Sequence, residues 1–132
     1  MIKLLRKEQA NALVEFALVL PFLLLFLLGT FDLGHGFVTY ITLANGAREG
    51  AHWLSTHPST SNPVEDARVY AWTAVEVADL DISQITVTPD RTAYDPGDEV
   101  TVAMDYPYPL LFGAIGPLTI NMHVEATMTV LY

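Results

Sequence analysis

The sequence predicts an α+β fold: a long N-terminal helix, a second shorter helix, and a small antiparallel β-sheet of three or four strands. Two patterns support this class. Apolar residues recur at helical spacing through the first part of the chain and again after residue 62. After Asp81 the period of the apolar residues changes to two, which is typical of strands with one buried face.

The first helix contains an apolar segment of membrane-spanning length. Residues 16–31 carry no charge and are mostly Leu and Phe, and the next charged residue is Asp32. As a helix they span about 24 Å, and extension back to Asn11 gives about 30 Å, the thickness of a bilayer's hydrocarbon core. We therefore expect a single span at about residues 12–31 in the cytoplasmic membrane. The basic residues Lys3, Arg6 and Lys7 precede it, which predicts a cytoplasmic N-terminus and an outer C-terminal domain.

Helical periodicity continues beyond the span, and predicts one helix over residues 11–54, about 66 Å long. Its seam is Phe37, Tyr40, Ala44, Ala47, Ala51 and Leu54, and Gly46 and Gly50 flank it. Small residues at this spacing let two helices approach closely. The pattern predicts subunit contacts at Ala44, Gly46, Ala47, Gly50 and Ala51. In the alternative interpretation, this half of the helix packs only on its own domain.

Residues 55–132 are predicted to form the outer α+β domain. Asn62, Pro63 and the acidic pair that follows predict the start of a helix over residues 63–79. Alternating apolar residues predict strands at about 84–88, 99–106 and 118–131. The prolines after Tyr106 predict a loop between the last two strands, reaching to Pro117.

The composition excludes several classes of function. Beyond residue 10 the chain has three basic residues against 14 acidic ones, which argues against nucleic acid as a partner. It has no cysteine, so no disulfide supports the outer domain. No nucleophile motif, phosphate loop or metal-ligand spacing occurs, and turn chemistry explains the acidic residues near Asp95-Pro96-Gly97-Asp98. We expect no enzyme activity, catalytic residue, cofactor or metal site.

The N-terminal leader resembles a class III (prepilin-type) signal. Residues 1–10 are short and basic, Ala10 stands where that class usually has Gly, and Glu15 is the fifth residue after it. The resemblance implies cleavage between Ala10 and Asn11 by a prepilin peptidase. Glu15 then has two interpretations: a solvated carboxylate at headgroup level, or a buried charge in a subunit contact paired with the free amine of a neighbour's Asn11.

A wider resemblance rests on three motifs of the first helix. They are Ala12-Leu13-Val14-Glu15-Phe16-Ala17-Leu18-Val19-Leu20-Pro21, then Asp32-x-Gly34, then Asn45-Gly46-Ala47-Arg48-Glu49-Gly50-Ala51. Together they resemble the TadE-like family, pilin-like proteins of tight-adherence (Tad) pilus systems in the type IV filament superfamily.

That resemblance implies a structural subunit of a surface filament or of its assembly complex. The implied partners are copies of the chain or related pilin-like subunits, the prepilin peptidase and the pilus assembly machinery. The protein would lie in the cytoplasmic membrane before assembly and in a cell-surface filament afterwards. The alternative is a permanently anchored envelope protein whose acidic outer domain binds a protein partner.

Overall fold

A computed structural model of the chain describes residues 2–76, 80–110 and 118–131, with side chains from residue 10 onward. It contains two α-helices, a short 3₁₀ turn and three strands. These are α1 (Ile2–Thr56), α2 (Pro63–Val75), the turn Ile82–Gln84, β1 (Thr86–Pro89), β2 (Glu99–Pro109) and β3 (Thr119–Thr129). The predicted α+β class is confirmed.

Several element boundaries differ from the sequence prediction. The first helix is continuous from Ile2 to Thr56, and so includes the leader. The second helix is described to Val75, and residues 77–79 of the predicted helix lie outside the described residues. The first strand starts at Thr86 rather than at residue 84, because Asp81 caps a 3₁₀ turn by accepting hydrogen bonds from the Ser83 N–H and the Gln84 amide.

The second strand corrects the prediction most clearly, because it continues through Pro107 to Pro109 instead of ending at Tyr106. Strand residues face their two neighbours alternately. Thr101 turns its carbonyl to the β1 side, where it accepts from the Asp90 N–H, so Pro107 and Pro109 face that side too. The ladder with β1 starts only at the pair Thr86–Asp105. The prolines therefore remove no ladder hydrogen bond.

The three strands form one antiparallel sheet in the order β1-β2-β3. β2 and β3 pair along their whole length, from Glu99 opposite Thr129 to Pro109 opposite Thr119. Alternate residues of β2 are buried on the inner face, including Val100, Val102 and Met104. The sheet therefore has one apolar face, which the helices cover, and one face directed to solvent.

The helix α1 turns one narrow face to the sheet and to α2. That face contains Asp32, Gly36, Thr39 and Leu43, and continues through the small residues after Asn45 to Leu54. Its first members are spaced by 4, 3 and 4 residues, the spacing of one helix face. At its start, the predicted seam is shifted by one residue from the face that is buried. Phe37 and Tyr40 of the seam are exposed, and their neighbours Gly36 and Thr39 are buried instead.

The small residues of α1 bring α2 close to it. A Cβ atom placed on Gly46 would lie 2.7 Å from Val75 Cγ2 and 3.0 Å from the carbonyl oxygen of Ala71. A Cβ on Gly50 would lie 3.1 Å from the carbonyl oxygen of Ala67. Both contacts involve backbone atoms of α2, which cannot move without the whole helix. The Gly–x–x–x–Gly spacing therefore serves contact between the two helices of one subunit.

A buried tyrosine holds the loop between β1 and β2. The Tyr94 hydroxyl lies within donor distance of the Asp90 carboxylate (3.0 Å) and the Arg91 carbonyl (2.9 Å). The same carboxylate accepts from the Thr101 N–H at 3.0 Å. Burial, together with the hydrogen bond to Asp90, raises the pKa of Tyr94 to about 12. The acidic residues of this loop thus bind neighbouring groups of the turn.

An ionic cluster lies on the solvent face of the sheet. His123 on β3 is directly opposite Asp105 on β2, and its Nδ1 lies 2.7 Å from the Asp105 carboxylate. Its Nε2 lies 3.0 Å from the Glu125 carboxylate. The hydrogen bonds to Glu125 and then Asp105 raise the pKa of His123 above its usual value. The cluster stabilises the pairing of β2 and β3 when His123 is protonated.

The close approach of α1 and α2 makes Gly46 sensitive to a single methyl group. We expect Gly46→Ala to lower the free energy of unfolding by about 1–3 kcal/mol, the usual effect of overpacking, despite the better helix propensity of Ala. The matched control is Gly34→Ala on the same helix, where a Cβ meets nothing within 4 Å and should slightly stabilise the protein. Thermal unfolding of both variants in detergent measures the difference. Equal midpoints would contradict the assigned contact.

The ionic cluster predicts a pH-dependent contribution to stability. A raised pKa in the folded state means that the contribution is fully present below the unfolded value of 6.5 and is lost as pH rises through the folded value. Wild type should therefore exceed His123→Gln in unfolding midpoint at a pH slightly below 6.5, and the gap should close as the pH rises above the raised pKa of His123. A gap that is constant across this range would show that His123 acts by packing alone.

Candidate functional site

The largest exposed feature of the described chain is the apolar half of α1. From Leu13 to Phe31 its large apolar side chains point outward on every face, with Phe22 72% and Phe26 76% exposed. The most apolar 18-residue window of the helix has a mean hydropathy of 2.5 and no buried residue. A helix that is apolar on all sides requires an apolar environment, either lipid or other helices.

The buried face of α1 begins where the apolar run ends. Asp32 is only 5% exposed, and the residues after it pack against the domain. The Tyr108 hydroxyl lies 3.4 Å from the Asp32 carbonyl oxygen, to which it donates, and 3.0 Å from His35 Nδ1. Burial raises the pKa of Tyr108, and the nearby Asp32 raises it further. These contacts join the end of β2 to α1 at the boundary of the apolar half.

The predicted assembly residue Glu15 lies on the exposed surface of the apolar half. It makes no ion pair or hydrogen bond with any residue whose side chain the structure describes. It is the only charged side chain between Asn11 and Phe31. A carboxylate at this position is costly in lipid or in a helix bundle unless a cation approaches it.

The predicted processing site, Ala10 and Asn11, lies within α1, five and four residues before Glu15. Both residues are exposed on the helix surface. Asn11 is one helical turn from Glu15 and on the same face. Asn11 lies about 6 Å along the helix axis from Glu15, so a neighbouring helix shifted by about that distance would bring a new amino group on its Asn11 to the level of this carboxylate.

The other predicted assembly residues are mostly buried within the subunit. Gly46, Ala47, Gly50 and Ala51 are inaccessible and contact α2 and the sheet, while Ala44 is half-buried at the edge of the core. The alternative interpretation from the sequence, packing on the chain's own domain, therefore describes these four residues. Of the predicted assembly residues, Glu15 and part of Ala44 reach the surface.

Sequence reasoning missed a second exposed stripe beyond the span. Phe37 and Tyr40 of the predicted seam have 65% and 49% of their surfaces exposed, although Phe37 also lines a groove with Tyr108. Val38 and Ile41 beside them are exposed too. These four residues, the outer stripe, continue the apolar half past Asp32. The signal was present in the sequence as a second apolar repeat beside the seam, but it resembles the buried repeat too closely to be separated from it.

The remaining polar clusters of the described residues are engaged in contacts within the fold. Within the described residues, no three His, Asp or Glu side chains are placed to hold a metal ion together. His35 contacts Tyr108, His57 stacks on Trp53 with 3.6 Å between ring centroids, and His123 bridges two carboxylates. Each of these contacts has a structural role in the fold.

Comparison with known proteins gives one family. Residues 11–52 match the family model described as TadE-like protein, and this segment covers most of α1. No curated protein and no solved structure matches the chain. The resemblance predicted from the sequence is therefore confirmed: over residues 11–52 the chain carries the pattern of the TadE-like family, which points to a pilin-like, Tad-pilus-associated protein.

Proposed function

We propose that this protein is a structural subunit of a Tad or type IV-like surface filament, or of its assembly complex, and polymerises through α1. The observation that carries the proposal is the exposure of the large apolar side chains of the apolar half, from Leu13 to Phe31, on every face of the helix. About 25 cal/mol per Å² of apolar surface opposes its contact with water, so the segment remains in lipid until other helices cover it. Assembly with similar helices provides that cover.

The charge distribution orients the subunit before assembly. Lys3, Arg6 and Lys7 precede the apolar half, and the acidic domain follows it. Basic residues beside a membrane span favour the cytoplasmic side. The domain that contains α2 and the sheet is then outside the cytoplasmic membrane, where a surface filament is built.

The outer stripe extends the proposed contact between subunits beyond the membrane. Phe37 and Tyr40 lie three residues apart on α1 and are 65% and 49% exposed, and the half-buried Ala44 follows them at the edge of the core. Their neighbours in a bundle would be the same helix of other subunits. We therefore assign lateral contact to the apolar half and the outer stripe, and the Gly46–Ala51 patch to the fold of the subunit.

Glu15 determines how the apolar helices of neighbouring subunits are aligned along their axes. Placed among apolar helices, its carboxylate favours the neighbour that brings a cation to the same level, and a free amine on Asn11 is such a cation. The amine forms only when a prepilin peptidase removes residues 1–10. In this proposal, removal of residues 1–10 is therefore required for assembly. A permanently anchored envelope protein would not need that cleavage.

The proposal predicts that cells process the chain between Ala10 and Asn11. Intact mass and N-terminal sequencing of the protein from sheared surface material should show residues 11–132, beginning NALVE. Ala10→Leu should retain the leader, because a bulky residue replaces the small one at the cut. Ala17→Leu, in the same helix but away from the cut, is the control and should be processed. A surface protein that keeps residues 1–10 would reject the prediction and favour the simple anchor.

Replacing Glu15 separates insertion from assembly. Glu15→Leu should enter the membrane as well as wild type, since a charge is removed. Its amount in sheared surface material should fall at least about tenfold, because a buried amine without its counter-charge costs about 3–5 kcal/mol. Glu15→Gln should be intermediate, since it keeps a hydrogen-bond acceptor.

The matched control is Glu49→Leu, another exposed carboxylate on α1 but far beyond the span. It should assemble normally. Immunoblots of membrane and surface fractions compare the variants. Normal surface amounts of Glu15→Leu would leave Glu15 as an ordinary interfacial carboxylate.

A further inference from the structure

The end of the β2–β3 hairpin lies beside the apolar half of α1. Leu110, which follows β2, lines a surface groove with Phe26, Gly29 and Leu33 of α1. The Leu110 N–H donates to the carbonyl oxygen of Leu118 at 3.0 Å, so both ends of the connection between the strands are held together. Phe26 and Asp32 are six residues apart, and this corresponds to about 9 Å along the helix. The hairpin end thus extends alongside the last turns of the apolar half.

This hairpin end is apolar and exposed. Leu118 is 55% exposed, Ile120 is 51% exposed, and Leu33 on the adjoining part of α1 is 77% exposed. With Leu110 these residues form the hairpin-end surface. From Tyr106 to Met122 the sequence contains no Asp, Glu, Lys, Arg or His. The charged residues of the same strands, Asp105 and His123, lie further along the sheet and on its solvent face.

Contacts between the end of β2 and the part of α1 around Asp32 hold the hairpin end beside the last turns of the apolar half. The Tyr108 hydroxyl reaches Asp32 and His35, 76 and 73 residues away in the chain. Gly36 packs beside Met122 and Tyr108, since a Cβ there would lie at van der Waals distance from both, 3.4 Å from Met122 Cε and 3.6 Å from Tyr108. The position of the hairpin-end surface relative to α1 is therefore set by packing and hydrogen bonds.

We propose that the hairpin-end surface is a second membrane contact, which inserts among the lipids of the outer leaflet next to α1 before assembly. The inference rests on the proposed placement of the apolar half across the membrane. Lipid is the expected occupant because the surface is continuous with the span and lies at the depth of its last turns. Its lack of charge suits that depth, while the remainder of the domain is acidic. The outer domain is then held against the membrane at two points.

The absence of cysteine allows a direct test with single-cysteine variants of the full chain. Leu118→Cys reports on the hairpin-end surface, and Phe22→Cys on the span. Thr127→Cys is the control, about 30 Å along β3 on the solvent face. Each variant carries an environment-sensitive fluorophore in phosphatidylcholine vesicles. Quenching is measured with lipids bearing doxyl groups and, separately, with aqueous iodide. A label at Ile120 instead of Leu118 shows whether the first label disturbs the surface.

The proposal predicts that doxyl lipids quench the labels at Leu118 and Phe22 at least about twofold more than the label at Thr127, and that iodide quenches only Thr127. Quenching of Phe22 but not of Leu118 by lipid would overturn this inference and leave the membrane span intact. A Leu118 label shielded from both quenchers would assign the surface to a second copy of the chain, and would also overturn it. No lipid quenching at Phe22 would overturn the span itself, and this inference with it.

Discussion

The account depends on one constraint: the apolar half of α1 cannot be left in water. Every large side chain from Leu13 to Phe31 is exposed except the half-buried Leu20, and the compact domain that follows approaches only the last turns of this segment, at Phe26. A single subunit therefore has two suitable environments, a bilayer or a bundle of similar helices. The same surface serves both, because lipid tails and leucine side chains are about equally apolar. A subunit can pass from one environment to the other only if neighbouring helices replace the lipid.

The remainder of the chain attaches a folded domain to this helix without covering its apolar half. Small residues from Gly46 to Ala51 bring α2 onto α1, and the sheet covers both. The junction of Asp32, His35 and Tyr108 ends this packing where the apolar half begins. Because the domain covers only one narrow face of α1, the outer stripe remains exposed. α1 is thus divided in two ways. Along its length, the apolar half is exposed and the part from Asp32 onward packs on the domain. Around its circumference, that second part has one buried face and leaves the outer stripe exposed.

The features that were predictable from the sequence are those set by local pattern. The apolar run, the start of α2 at Pro63 and the alternation in β3 each depend on neighbouring residues only, and the structure contains all of them. The resemblance to the TadE-like family was also recognisable, because the matching motifs lie within one continuous segment, residues 11–52. Glu15 stood out for the same reason, as an isolated charge in an apolar run.

What could not be predicted depends on contacts between distant parts of the chain. The extension of β2 to Pro109 follows from the late start of β1 at Thr86, which leaves Pro107 and Pro109 beyond the ladder between these two strands. The small residues looked suited to another subunit until α2 was placed against them. Two apolar repeats run side by side along α1, and the buried one is the repeat that packs against the domain, where Tyr108 lies near Gly36. Sequence spacing alone does not determine that choice.

The central claim is that helices replace lipid around the apolar half on assembly. A photo-crosslinking residue at Phe22, in the middle of that half, tests it in living cells. In the membrane fraction the account predicts crosslinks mainly to lipid, and in sheared surface material crosslinks to other subunits, detected as a ladder of higher mass. Surface material in which Phe22 crosslinks to lipid alone, or to no protein, would contradict the account.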